Sequence, residues 1–456
     1  MRPVLAALAL VLALPSLAQQ PIQQPSLPFE KFKLDNGLEV LLHTDRKLPV
    51  AAVNLWYHVG AFHEQPGRTG FAHLFEHMMF QGSKHVGDDV HIPMLQQLGA
   101  TSLNGTTDFD RTNYFETVPS HHLETALWLE SDRMGFLLDT LTEEKLKTQK
   151  EVVKNERRQS TETAPYGLAE EKLWQALFPA PHPYYGVVIG SMADLEAATL
   201  EDVKAFFRTW YAPANATIAV VGDFDEPAAR SLLQKYFGAL PSGEKPKAPE
   251  VKPVRLEKEV VIRHQETIAD LARVDAAWHT PAIFLEGDAT ADVLASILSD
   301  GKASRLYRRL VHEKQLAQSV VAYQQSLGAQ SVFDVQAVAR PGVSSETLLK
   351  ELDAVLAEVR TQGVTAEEIQ RAVNRFETRF TSGLQKVGGF GGKADVLQKY
   401  NHYLGNPGFL AEDLERYRQI TPEKVVAFAR EQLDPARRAV LHAVPPPASP
   451  AVKEKK

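Results

Sequence analysis

The segment Thr69-Gly70-Phe71-Ala72-His73-Leu74-Phe75-Glu76-His77-Met78-Met79-Phe80-Gln81-Gly82 carries two histidines four residues apart, with a glutamate between them. On a helix, residues at that spacing project from one face, one turn apart. Two imidazoles so placed can share one zinc ion at Zn–N lengths of about 2.0–2.1 Å. Glu76 stands one residue before His77, close enough to reach a water at the metal without being a ligand. The order H-x-x-E-H is the reverse of the H-E-x-x-H zinc helix. Thr69 is expected to cap this helix and Gly82 to end it, with Phe71, Leu74, Phe75, Met78 and Met79 as the apolar face. The plainer alternative is a half-buried helix with two surface histidines.

Two histidines do not complete a catalytic zinc site, which normally takes three protein ligands and leaves one position open. The chain has no cysteine, so the third ligand must be His, Asp or Glu. Residues 143–171 hold several glutamates, and spacing alone does not choose among them. The same absence excludes disulfides, thiolate metal sites, a cysteine nucleophile and a lipidated N-terminal cysteine. His85, His91, His121 and His122 are expected to be exposed and not ligands, and His182 to be structural.

These side chains must be held by a sizeable scaffold. The chain has 456 residues, 44% hydrophobic and 23% charged, with a net charge of −7. That is a globular composition and size for at least two domains. The acidic balance gives no support for binding nucleic acid or an anionic membrane. Residues 1–18 read as a secretory signal peptide: Arg2, an uncharged run over 3–14, then Ser16-Leu17-Ala18 as a cleavage pattern. The mature chain has no second long apolar stretch, hence no expected membrane span, and the periplasm or the exterior is its expected destination.

Residues 241–253 have the composition of a linker, rich in Pro and Lys. They divide the mature chain into residues 19–240 and 254–456. Thr199-Leu200-Glu201-Asp202-Val203-Lys204-Ala205-Phe206 matches Thr421-Pro422-Glu423-Lys424-Val425-Val426-Ala427-Phe428 at an offset of 222. Thr142-Glu143-Glu144 and the segment from Thr365 repeat at 223. The reading is an α+β chain of two homologous domains made by internal duplication. Asn36-Gly37 predicts a hairpin between residues 29–35 and 38–44. Alternation at Val53, Leu55, Tyr57 and Val59 predicts a half-buried strand. Helical spacing covers residues 123–138, 143–159, 345–360 and 365–384. At the duplication offsets His73, His77 and Glu156 fall near Ala295, Ser299 and Arg379, so the second copy should carry no metal site.

Nearly the whole mature chain resembles the pitrilysin/insulinase family of zinc peptidases, in particular the branch of the mitochondrial processing peptidases and their short bacterial relatives. The likeness rests on Leu34-Asp35-Asn36-Gly37-Leu38, the zinc segment, Asn104-Gly105-Thr106-Thr107-Asp108, Glu151-Val152-Val153-Lys154-Asn155-Glu156-Arg157, His182-Pro183-Tyr184 and Tyr211-Ala212-Pro213-Ala214-Asn215. The resemblance implies two α/β-sandwich domains and Zn²⁺ held by His73, His77 and Glu156. It implies Glu76 as general base, and a peptide substrate laid along the strand of Asn104. Thr106 and Thr107 carry no assigned chemistry. A glutamate that such relatives place seven residues before the third ligand is Gln149 here, which can supply hydrogen bonds near the metal but no charge.

The family closes a chamber from four such domains, and this chain supplies two. Active relatives carry an Arg and a Tyr in the second half; here those positions read Val311 and Gln318, while Arg305 and Tyr307 do not match the spacing. The resemblance therefore implies pairing with a non-catalytic homologous chain that brings the Arg/Tyr pair, or else a homodimer. Two other readings remain: an exported, non-catalytic assembly or binding subunit, and a zinc-storage protein. The stretch Val387-Gly388-Gly389-Phe390-Gly391-Gly392 is a loop at the chamber mouth, a partner contact or a connector between helices.

Overall fold

The computed structural model describes residues 25–446. The expected signal peptide at 1–18 lies outside the described residues. The Asn36-Gly37 turn forms as the sequence predicts, with Gly37 at φ 92°. It joins β1 (Glu30–Lys33) to β2 (Glu39–Thr44) in an antiparallel pair. With β3 (Val50–Tyr57), β4 (Thr101–Thr107), β5 (Thr112–Pro119) and β6 (Ala216–Gly222) they make a sheet in the order β1-β2-β6-β3-β5-β4. The closing strand β6 thus enters the sheet interior, parallel to β2, and β4 is left at an edge.

The second sheet repeats this plan. It contains β7 (Val260–Gln265), β8 (Arg273–Thr280), β9 (Ala317–Gln325), β10 (Ser331–Ala339) and β11 (Ala439–Val444), in the order β7-β11-β8-β10-β9. β3 and β8 begin 223 residues apart, as do β6 and β11. The caps repeat too. Thr142 and Thr365 each accept the N–H three residues on, as do Thr199 and Thr421. The four expected helices are found within a few residues of their limits, as Leu123–Phe136, Glu143–Arg157, Ser345–Gln362 and Ala366–Gly383.

One expectation is corrected. β3 is buried on both faces, not one, with every residue from Ala51 to Tyr57 at or below 3% exposure. Val53, Leu55 and Tyr57 pack under the first half's own helices. The other face is covered by a helix of the second half, Lys393–Leu404, whose Ala394 and Leu397 meet Leu41, Ala52, Ala219 and Val221. Gln398 donates from its carboxamide to the Asn54 and Thr217 carbonyls, both at 2.7 Å. The loan is returned. The first half's helix Gly167–Leu177 lays Ala169, Leu173 and Leu177 on Ala277, Ala439, Leu441 and Ala443 of the second sheet. Alanines on both receiving faces let a helix sit close. The glycine-rich stretch is a connector into the lent helix and packs on the first sheet. A Cβ on Gly388 would stand 2.5 Å from Thr117 Oγ1 and 2.7 Å from the Ala52 Cβ.

Polar contacts join the halves as well. The Asp110 carboxylate accepts from the Tyr184 hydroxyl, the Tyr403 hydroxyl and the Gly328 N–H at 2.8–2.9 Å. His58 and His402 stack with ring centroids 4.9 Å apart and share an Nδ1···Nδ1 contact of 2.7 Å. Burial pushes His58 down to about 4, helped by Lys245, and pushes His402 well down, helped by His58. The unfolded chain binds these protons at about pH 6.5 and the native pair refuses them. The stability they contribute is therefore complete above pH 6.5. It is lost as pH falls toward 4, at about 1.4 kcal/mol per pH unit for each histidine. Melting temperature should fall over that window, and the fall should be shallower in His402→Gln. Equal slopes for the two proteins would count against this account.

Candidate metal centre

The helix Phe71–Met78 buries Phe71, Leu74, Phe75 and Met78 against the first sheet and turns His73 and His77 outward. Its start differs from expectation. Gly70, at φ 85°, occupies the cap position, and the Glu64 carboxylate accepts the Gly70 and Ala72 N–H groups at 2.9 and 2.8 Å. Thr69 instead bonds to Asp194 through its amide and hydroxyl. The two oxygens of Glu64 satisfy the free helix N–H groups although burial pushes its carboxyl up to about 8, so Glu64 displaces the hydroxyl of Thr69 from that role. Gly70 also presses on Gly190, where a Cβ would come within 2.5 Å of the Gly70 Cα. The helix stops at Met78, and one further turn runs to Gly82 at φ 82°.

Glu156 comes from the helix Glu143–Arg157, crossing the same face. Its Oε2 stands 3.3 Å from His77 Nε2 and 3.7 Å from His73 Nε2. Among the described residues, these form the one group of three metal-binding side chains whose ligand atoms lie within 4.8 Å of one another. The donor set fits zinc. Ligands about 2.0–2.1 Å from a tetrahedral ion stand about 3.3 Å apart. Burial, then the neighbouring His77, holds His73 down to about 4, so its ring is neutral and offers a lone pair. His73 Nδ1 is buried without a partner.

Arg157 anchors the Glu156 helix by donating to the Gly190 carbonyl at 2.7 Å and to Glu171 at 2.8 Å. From that helix Gln149 lines a cavity that opens in front of His73, His77 and Glu156. The corresponding positions of the second half hold Ala295, which is buried, and Arg379, which pairs with Asp300.

Glu76 lies behind the pair of histidines. Its Oε2 accepts from the Thr107 hydroxyl at 2.6 Å, and burial pushes its carboxyl up to about 7 against the lowering by Thr107 and Arg111. Gly105 keeps this space open, because a Cβ there would lie 3.2 Å from Glu76 Oε1 and 3.0 Å from Phe80. Thr107 was missed by sequence reasoning. The available signal was strand alternation, since Gly105 and Thr107 face the helix together from β4. Asn104 faces the other way on the exposed edge, at the rim of the cavity, with its carboxamide oxygen on the Gly105 N–H at 3.0 Å.

His91 corrects another expectation. It is 3% exposed and sits beside Phe80 and a buried Glu130–Arg133 ion pair, whose guanidinium lies 4.2 Å from the Tyr114 ring centre. His85 is half exposed and bonds Asp132, and His182 accepts the Tyr184 N–H.

Residues 39–181 match the family model described as Insulinase (Peptidase family M16), and residues 197–376 match the one described as Peptidase M16 inactive domain. Together they span more than two thirds of the chain. The chain belongs to the insulinase family of peptidases. The "inactive" match covers most of the half in which no metal cluster occurs among the described residues. A zinc protease PqqE of Helicobacter pylori is 29% identical over 379 residues, 82% of this chain and 83% of that protein. The crystal structure of a protease from Helicobacter pylori superposes with a TM-score of 0.85 at 26% identity, covering 92% of this chain and all of that one. The periplasmic protease PqqL from Escherichia coli shares the fold at TM-score 0.73 and 19% identity; the match takes in 92% of this chain but 48% of PqqL.

Proposed function

We propose that this insulinase-family chain is an exported zinc endopeptidase, the catalytic part of a two-chain chamber that cuts peptides or unfolded segments. The observation that carries the reading is the convergence of His73, His77 and Glu156 beside a Glu76 already oriented by Thr107. Zinc held by those three side chains would supply the Lewis acidity that makes water nucleophilic near neutral pH and polarises a peptide carbonyl. Glu76 takes the proton from the attacking water and returns it to the leaving amine. Its Oε2 is engaged by Thr107, so Oε1, on the Gly105 side, is the oxygen that carries the proton. An extended peptide adds to the unpaired side of β4, where the Asn104 carboxamide is placed to meet its backbone.

Thr107→Val keeps the shape of the strand but removes the hydroxyl. It is expected to lower kcat about ten- to a hundredfold, with zinc content and KM nearly unchanged. Steady-state kinetics and metal analysis check this.

The two-chain arrangement is supported by PqqL, which has about twice this chain's length and so accommodates two such units. Val311 and Gln318 favour a homologous partner that supplies an Arg/Tyr pair, with a homodimer as the alternative. They also favour the second reading, a non-catalytic assembly or binding subunit. Export is supported by the pattern of residues 1–18, and the periplasm by the likeness to the periplasmic protease PqqL. Among the described residues no helix is long and apolar enough to cross a membrane.

The test is cleavage of a quenched peptide library by the zinc-loaded chain. Turnover by the chain alone supports a self-sufficient homodimeric peptidase and removes the need for an Arg/Tyr partner. Turnover only after adding a homologous Arg/Tyr-bearing chain supports the heterodimer. No turnover in either case, with zinc bound, would overturn the peptidase reading in favour of the binding subunit.

A further inference from the structure

The cavity in front of the metal centre, about 500 Å³, extends past Glu76 along one wall formed by the segment that follows the zinc helix. Phe80 and Ile92 give that wall apolar surface, and Asp89 and Gln81 give it a polar end. Asp89 is unusual in two ways. Its φ is 58°, a left-handed conformation that few side chains tolerate, although Asp and Asn do so better than most. Its carboxylate is exposed and, among the described residues, makes no ion pair, accepting only from the Gln81 carboxamide at 3.2 Å. Its neighbour Asp88 is paired, with Lys145 at 2.6 Å. No Lys or Arg lines the cavity. A divalent ion held by His73, His77 and Glu156 would balance the charges of Glu156 and Glu76 and would leave the charge of Asp89 unbalanced.

We infer that Asp89 selects a basic substrate side chain, Lys or Arg, next to the scissile bond. The reading rests on the peptidase function proposed above. A long basic side chain lays its methylenes along Phe80 and Ile92 and brings its charged end to Asp89. A Glu side chain at that position meets an uncompensated negative charge. The left-handed backbone at Asp89 aims the carboxylate, which is the kind of strain that persists at ligand-contacting positions.

The experiment uses one quenched peptide frame with Lys, Leu or Glu placed on either side of the cleaved bond. The full chain, with any partner it requires, should favour Lys over Glu on one side by about tenfold or more in kcat/KM. Asp89→Asn keeps a residue suited to left-handed backbone and should shrink that ratio to about threefold or less, while Asp89→Lys should invert it. Asp88→Asn, which removes the adjacent charge outside the cavity, should leave the ratio as it is. Fluorescence anisotropy of the same peptides on Glu76→Gln reads the preference without turnover. Cleavage with no Lys/Glu preference, or a preference untouched by Asp89→Asn, overturns the inference and leaves the peptidase reading intact. A preference in binding that Asp89→Asn abolishes, with no cleavage by the wild-type chain, sinks the peptidase reading and with it the inference as stated, and leaves Asp89 as a contact of a bound basic peptide.

Discussion

Glu76→Gln is expected to lower peptide turnover by about a hundred- to ten-thousandfold while zinc content and fold are kept. Gln has the shape of Glu, and its carbonyl oxygen can still accept from the Thr107 hydroxyl. The His73, His77 and Glu156 side chains are untouched, so metal affinity should change little. The variant loses one property, the ability to take and release a proton beside the attacking water. It also removes an acidic group from a site where burial disfavours charge, so its melting temperature should equal or exceed that of the parent.

This pairing of outcomes separates the alternatives. A zinc-storage protein or a binding subunit has no use for the acid–base property of Glu76, and for either one the substitution would be silent in every assay. A structural role for Glu76 would lower zinc content or melting temperature along with activity. Metal analysis, calorimetry and turnover measured on one preparation therefore decide among base, structural residue and bystander.

The parts of the site that could be read from sequence are those whose geometry is local. His73, Glu76 and His77 lie on one helix, where spacing fixes direction. Glu156 comes 79 residues after His77 and is one of several glutamates on its helix, so only family resemblance picked it out. Thr107 and Glu64 act across element boundaries. One reaches from a strand to a helix, marked only by the alternation that sets Thr107 beside Gly105, and the other from six residues upstream of the helix cap, where no periodicity marks it. The duplication was legible because its copies share caps and strand positions. The exchange of helices was not. Gly167–Leu177 and Lys393–Leu404 read as ordinary amphipathic helices, and nothing in either says which sheet will receive it. The alternation of Val53, Leu55 and Tyr57 identified one buried face of β3, while Ala52 and Asn54 on the other face were too small or too polar to announce a second one.

That exchange leads to the largest stability effect we expect: neither half should fold alone. Residues 25–240 by themselves would expose Leu41, Ala52, Ala219 and Val221 and leave the helix Gly167–Leu177 without the sheet it covers. Residues 254–446 would likewise expose Ala277, Leu441 and Ala443 and strand Ala394 and Leu397. Each buried Leu or Val is worth about 1.5–3 kcal/mol, so uncovering Leu41, Val221, Leu173 and Leu177 in residues 25–240 removes about 6–12 kcal/mol. That is comparable with the whole net stability of a typical domain, about 5–15 kcal/mol. Asp110 adds to the loss, since two of its three donors, Tyr403 and Gly328, belong to the other half. Expressed singly, each half should bind a hydrophobic dye and show no cooperative melt. Expressed together, they should recover a 1:1 complex that melts cooperatively and binds one zinc. A cooperative melt and zinc binding by residues 25–240 alone would refute this. Because the helix of His73 and His77 rests on a sheet whose far face belongs to the other half, the candidate metal centre depends on the duplication even though His73, His77 and Glu156 come from one copy.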